Sequence, residues 1–126
     1  MQKTVNIIGI VLSFAVIAAV AVLSLVPRVS VPAAVPFADK GAHFIAYAAI
    51  GFAVFLSFFR LDQKNWRSFF LSFAIGIAIG GVIELLQPQF GRAMEILDFA
   101  ADAMGSFLGA SAGEACGLGL QKMAKK

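Results

Sequence analysis

Asp39, His43 and Tyr47 follow one another at intervals of four residues, and Asp98 and Asp102 repeat that interval. Glu84 and Gln87 stand three apart, with Arg92 in the polar stretch that follows. Such spacings place each set on one face of a helix. These residue types support several chemistries. His43 and Glu84 could serve as general acid and base, with Asp39 one turn away to fix the imidazole tautomer. Lys40 and Arg92 could hold a phosphate or carboxylate, the guanidinium in bidentate fashion. Asp39, Glu84, Asp98 and Asp102 with one histidine form a mainly oxygen ligand set, better suited to Mg²⁺, Ca²⁺ or Mn²⁺ than to zinc. No H-E-x-x-H or cysteine-rich motif is present, chance clustering at helix ends explains the same residues, and neither a metal nor another cofactor is expected. The pattern also lacks a nucleophile: there is no G-x-S-x-G, and Ser30 sits in a proline-rich stretch without context. Taken singly, His43 and Tyr47 read equally well as packing residues, and Glu95 as a solvated loop charge.

The surrounding chain must carry these residues into a very apolar setting. Of its 126 residues 60% are hydrophobic and 13% charged, where a soluble domain carries around a quarter charged residues. Mean hydropathy is +0.90. One domain of this length, read as residues 1–126, has more apolar surface than a single core can bury. The chain therefore reads as an all-α integral membrane protein with the lipid bilayer as its first partner. The net charge of +3 comes from short clusters beside apolar runs, so no nucleic-acid footprint is expected. The lone Cys116 cannot form an internal disulfide.

Four apolar runs are expected to be transmembrane helices in a compact bundle, at about 5–26, 41–59, 68–87 and 96–119. Lys3 and the triplet Ala19-Val20-Ala21 give the first run some likeness to a signal peptide. It extends well beyond the ~7–15 residues of a signal h-region, and a retained span is expected. Pro27, Pro32 and Pro36 place a loop after it, and Asp39 is a candidate N-cap for the second run. "RLDQKNWR", residues 60–67, is a polar hinge, and Pro88 stops the third run. Lys3, Arg60, Lys64, Arg67, Lys122, Lys125 and Lys126 fall on one side, against Arg28, Lys40 and Arg92 on the other. The positive-inside rule then makes both termini cytoplasmic, puts Trp66 at the cytoplasmic interface, and puts the polar residues on the extracytoplasmic side.

In the fourth run Gly105, Gly109, Gly113 and Gly117 recur every four residues and make a groove for close helix approach. Internal packing of the bundle is the first use expected for this stripe, and a homodimer face is the alternative. Gly76 and Gly80 offer a shorter groove on the third run. The polar residues lie within roughly 10 Å of the outer helix ends. A charged side chain at the centre of a span costs ~2.5–3.5 kcal/mol, and less near the interface. Several carboxylates on facing helices, with His43, Lys40 and Arg92 beside them, therefore suggest an inward-facing, mutually paired pocket. Glu114 stands apart, toward the opposite end of the fourth run.

"DKGAHFIAYAAIG", "ELLQPQFGR" and "DFAADAMGSFLG", in that order, resemble the VanZ-like family of small bacterial membrane proteins. That family shows D-K-x-x-H-x-x-x-Y-x-x-x-G, then E-x-x-Q and an arginine, then an aspartate with an asparagine four residues on and a glycine pair. The matching positions are Asp39, Lys40, His43, Tyr47, Gly51, Glu84, Gln87, Arg92, Asp98, Gly105 and Gly109, and the likeness covers nearly all the chain from Asp39 onward. Asp102 departs from the pattern: a carboxylate only accepts where an amide also donates. The resemblance implies a multi-pass protein of the bacterial cytoplasmic membrane, associated with the cell envelope and with teicoplanin resistance. A pocket of Asp39, Lys40, His43, Tyr47, Glu84, Gln87, Arg92, Asp98 and Asp102 is then expected to bind an envelope lipid, a lipid-linked glycan or a glycopeptide. The alternatives are a membrane-embedded enzyme acting on a lipid-linked phosphate or acyl group through His43 and Glu84, and a structural accessory subunit. A carrier is disfavoured, because apart from Glu114 few polar residues continue toward the opposite side.

Overall fold

The computed structural model describes residues 1–26 and 38–126, with side chains of the second segment from Lys40 onward. The proline-rich loop expected after the first run and the side chain of Asp39 lie outside the described residues. The described chain is helical: α1 Gln2–Leu25, α2 Ala38–Phe58, α3 Trp66–Leu86, a 3₁₀ turn Gln87–Phe90 and α4 Ile96–Ala124. Asp39 lies inside the first turn of α2, not at its cap, because the helix begins three residues earlier than expected. α4 begins at Ile96 as the run predicts but continues to Ala124, since nothing in "GLGLQKMA" breaks a helix.

Among the described residues three helices are long and apolar enough to cross a membrane: Gln2–Leu25, Lys40–Phe58 and Trp66–Phe90. Their outward faces expose Ile7, Val11, Phe14, Leu23, Ile45, Phe70, Val82 and Leu85. Water would not favour such a surface and hydrocarbon would. These features are compatible with a membrane protein. α4 is longer, with 29 residues, but its glycines and Asp98, Asp102 and Glu114 dilute its apolar character.

α2 is the central helix, meeting α1, α3 and, most extensively, α4. Tyr47, Ile50 and Phe55 are fully buried along it, as is Phe59 just past its end. One apolar cluster joins Val20, Tyr47, Ile50, Val54 and Ile83, and another joins Phe55, Leu56 and Phe59. Gly105, Gly109, Gly113 and Gly117 are all buried. A Cβ on Gly113 would stand 2.7 Å from Phe55 Cγ, and one on Gly117 would stand 2.7 Å from Phe59 Cε2. A Cβ on Gly109 would strike the Ala48 backbone. The stripe thus lets α4 lie against α2, and this fixes which α4 side chains face the bundle interior.

The C-terminal end of α2 is closed by amides. Asn6 Nδ2 donates to the carbonyls of Leu56, Ser57 and Phe59 at 2.9, 3.1 and 3.0 Å, and Gln2 donates to the Phe59 carbonyl. Gln2 Oε1 accepts from the Leu61 N–H at 2.6 Å. Asn65 accepts from the Arg60 N–H at 2.7 Å and donates to the Arg60 carbonyl at 2.9 Å, while Ser68 donates to the Phe58 carbonyl at 2.7 Å. These bonds satisfy carbonyls that a helix end leaves without intrahelical partners. The other end of the bundle is built differently.

Candidate ligand-binding site at the carboxylate end

The first turns of α2 carry Lys40, His43 and Tyr47, and the last turn of α3 carries Glu84. Asp98, Asp102 and Ser106 recur every four residues along α4, so all three lie on its buried face. Gln87 opens the 3₁₀ turn, which forms because Pro88 lacks an amide hydrogen to continue α3. The turn ends at Gly91 with φ +74°, a left-handed conformation that favours glycine. The reversal is closed by the Arg92 N–H on the Gln87 carbonyl at 3.0 Å.

These elements gather His43, Tyr47, Glu84, Gln87, Asp98 and Asp102 into one buried cluster, with Ser106 buried two turns beyond Asp98 on the same face of α4. His43 Nδ1 and Asp102 Oδ1 form a 2.7 Å hydrogen bond. His43 Nδ1 is also 4.0 Å from Glu84 Oε1, and His43 Nε2 is 3.8 Å from Asp98 Oδ2. The His43 and Tyr47 rings are parallel within 3°, with centroids 6.4 Å apart. Gly80 leaves the space they need, since a Cβ there would stand 3.0 Å from Asp102 Oδ2 and 3.3 Å from Tyr47 Cε1.

Around this cluster lies a partly exposed rim. Lys40 Nζ is 3.1 Å from Glu95 Oε2 and 3.6 Å from Asp98 Oδ1. The Glu95 N–H donates to Glu84 Oε2 at 3.2 Å, so Glu95 is a fixed member of the wall and not merely a solvated loop charge. Gln87 Nε2 donates to the Ser24 carbonyl at 3.3 Å. Arg92 donates to the carbonyls of Leu23, at 3.3 Å, and Ser24. α1 therefore joins the site through the carbonyls near its C-terminus, and four helices meet there instead of the three expected from the sequence.

Six buried oxygens have no hydrogen-bond partner among the described residues: Tyr47 Oη, Glu84 Oε1, Gln87 Oε1, Asp98 Oδ1, Asp102 Oδ2 and Ser106 Oγ. Five of them belong to this end of the bundle, and Ser106 Oγ lies deeper, against Gly76 at the middle of α3. Buried polar groups in folded proteins are nearly always bonded, so such a concentration marks a place that water, an ion or a ligand would complete. Two clefts approach it. One, of about 190 Å³, is lined by Ser24, His43, Tyr47 and Arg92 among others. The second, of about 260 Å³, is mainly apolar, with Leu85, Met94, Ile96 and Phe99 in its walls and Glu84 among its lining residues.

Asp102 bonds His43 Nδ1; the side chain of Asp39, which the sequence suggested for that role, lies outside the described residues. Ser24 and Glu95 are members of the layer that sequence reasoning missed, and it also missed that Ser106 is buried below them and that Gly80 makes room for Tyr47 and Asp102. The four-residue series Asp98, Asp102, Ser106 was a readable signal for Ser106, and the unpaired carbonyls of a helix ending just before Pro27 were one for Ser24. Glu114 lies elsewhere, beside a cleft of about 520 Å³ that also includes Leu61, Asn65, Trp66 and Gln121.

Fold and site together define an all-helical protein with membrane-span-like helices and a buried histidine–carboxylate cluster at one end of the bundle. The chain matches no protein-family model, no curated protein and no solved structure.

Proposed function

We propose that this protein is a VanZ-like membrane protein of the bacterial cell envelope whose polar end opens outward and binds an envelope lipid, a lipid-linked glycan or a glycopeptide. In this arrangement α4 is a fourth span, both termini are cytoplasmic, and α2 covers the glycine stripe, so no second copy is invoked. The observation that carries the reading is the set of five unpartnered buried oxygens, of Tyr47, Glu84, Gln87, Asp98 and Asp102, gathered at one end. The clefts beside them favour an amphiphilic occupant: one, with mixed walls, reaches His43, Tyr47 and Arg92, and the other, almost wholly apolar, borders Glu84. A headgroup would meet the first and an acyl chain the second.

The test is the teicoplanin susceptibility of a bacterial host expressing the protein or its His43→Ala, Glu84→Ala or Arg92→Ala variant at matched membrane abundance. Protection by the parent that the variants lose is the expected result. Protection that survives all three changes would contradict a role for the polar end.

The 2.7 Å bond between His43 and Asp102 favours a second reading. A carboxylate on Nδ1 fixes the tautomer and leaves Nε2 able to take a proton, as a general base requires. Purified protein would then hydrolyse or transfer a labelled lipid-linked phosphate, and Glu84→Gln would abolish turnover while binding remained. No turnover with retained binding returns the site to a binding role.

A further inference from the structure

The buried carboxylates pose a sharper question than what enters the clefts, namely what neutralises them. Glu84, Asp98 and Asp102 are each at least 97% buried, with relative exposures of 3, 3 and 0%. Lys40 reaches only Asp98 among them and is shared with Glu95. Arg92 lies on the first cleft and holds the α1 carbonyls. Buried carboxylates are costly unless a cation or proton meets them.

The imidazole geometry narrows the choice. With Asp102 on Nδ1, a neutral His43 carries its hydrogen there and presents a lone pair at Nε2. That lone pair faces Asp98 Oδ2 across 3.8 Å. Two acceptors at this separation do not bond each other, and a positive charge between them would satisfy both. One donor atom each from His43, Glu84 and Asp98 lies within 4.8 Å of the others. Donor atoms at ~2.1 Å from one metal lie about 3.0–4.2 Å apart for right-angle to opposite positions, so a small inward movement closes the set. Glu84 Oε1, unpartnered, stands 4.0 Å from Nδ1 at the edge of the same ring.

We propose that His43 Nε2 and the carboxylates of Glu84 and Asp98 bind one divalent transition cation of the zinc or manganese class. Asp102 is its positioning residue, holding the imidazole through Nδ1 in the carboxylate–histidine–metal arrangement common to such sites. One nitrogen and two oxygens suit Zn²⁺ or Mn²⁺ and leave coordination positions open. A cation there would remove the repulsion among the carboxylates and give an anionic headgroup a Lewis-acidic partner. The site shares residues with the proposed pocket but does not depend on what that pocket binds.

The test uses metal alone, without lipid. Full-length protein in detergent, stripped with chelator, is titrated with Co²⁺ and followed by visible d–d absorption. The expected result is saturation at one cobalt per chain, displacement by Zn²⁺, and no thiolate charge-transfer band from the exposed Cys116. Asp98→Asn and Glu84→Gln would abolish the saturable signal, while Asp102→Asn would keep it with affinity weakened ~10–100-fold. Helix content and monodisperse elution of each variant show that it is folded, and the unmodified protein's titration stands whatever the variants do. Folded protein without saturable absorption would overturn the proposal in favour of imidazolium–carboxylate pairing. So would a signal unchanged in Asp98→Asn.

Discussion

The two ends of α2 are both polar, and they are polar in different ways. At the C-terminal end the side chains of Gln2, Asn6, Asn65, Ser68 and Gln121 are amides and a hydroxyl, and they close onto backbone groups. At the N-terminal end the side chains are mainly carboxylates with a histidine, a tyrosine and one amide, Gln87, and five of their oxygens are unpartnered among the described residues. No atom of the amide end belongs to that unpartnered set. An amide both donates and accepts, so a few of them can complete a helix end without outside help. Ionised carboxylates only accept, so a cluster of them remains incomplete until something positive or a donor arrives. On the proposed reading the first end is scaffold and the second a place for a ligand.

That contrast can be broken by mutation. The largest effect is expected from Asn65→Ala, which strips the Arg60 N–H and carbonyl of their partner. A loss of about 2–3 kcal/mol is expected, measured by thermal or denaturant unfolding in detergent. At the opposite end Glu84→Gln should act with the other sign. It keeps an oxygen for the Glu95 N–H, relieves repulsion with Asp98 and Asp102, and should leave stability unchanged or raised by about 1 kcal/mol in metal-free protein. Gln121→Ala loses exposed bonds to the carbonyls of Arg60 and Gln63. The same assay should show a change on the order of 0.5 kcal/mol.

The smallest effect belongs to Asp62. The Arg60 guanidinium, 3.4 Å away, holds its carboxyl below the usual aspartate value. A lowered folded-state value stabilises above the ordinary titration range and is lost as pH falls through the lowered value. Both side chains are more than half exposed, so Asp62→Asn should not measurably change the unfolding temperature between neutral pH and about pH 5. A clear drop there would show that the hinge contributes more than its amides.

Much of this arrangement was legible before the structure. The apolar runs locate all four helices, and Pro88 and the polar stretch around Gly91 locate the break between α3 and α4. The four-residue spacings of His43 with Tyr47 and of Asp98 with Asp102 put those pairs at the same end of the bundle. Pairing across helices was not legible. That Asp102 meets His43 depends on how α4 is rotated against α2, and that rotation is fixed where Gly109, Gly113 and Gly117 contact Ala48, Phe55 and Phe59. Such contacts join residues some sixty positions apart, beyond the reach of local periodicity. Gln2 and Asn6 escaped notice for a related reason: they sit at the edge of an apolar run, and their partners lie in a distant hinge.

The most direct measurement is the unfolding temperature, in detergent and without metal, of the triple variant Glu84→Gln, Asp98→Asn, Asp102→Asn. If the carboxylates are kept for a ligand and not for the fold, the variant will unfold at or above the parent's temperature with unchanged helix content. A fall as large as that caused by Asn65→Ala would mean that the cluster holds the bundle together, and the division between scaffold and site would be wrong.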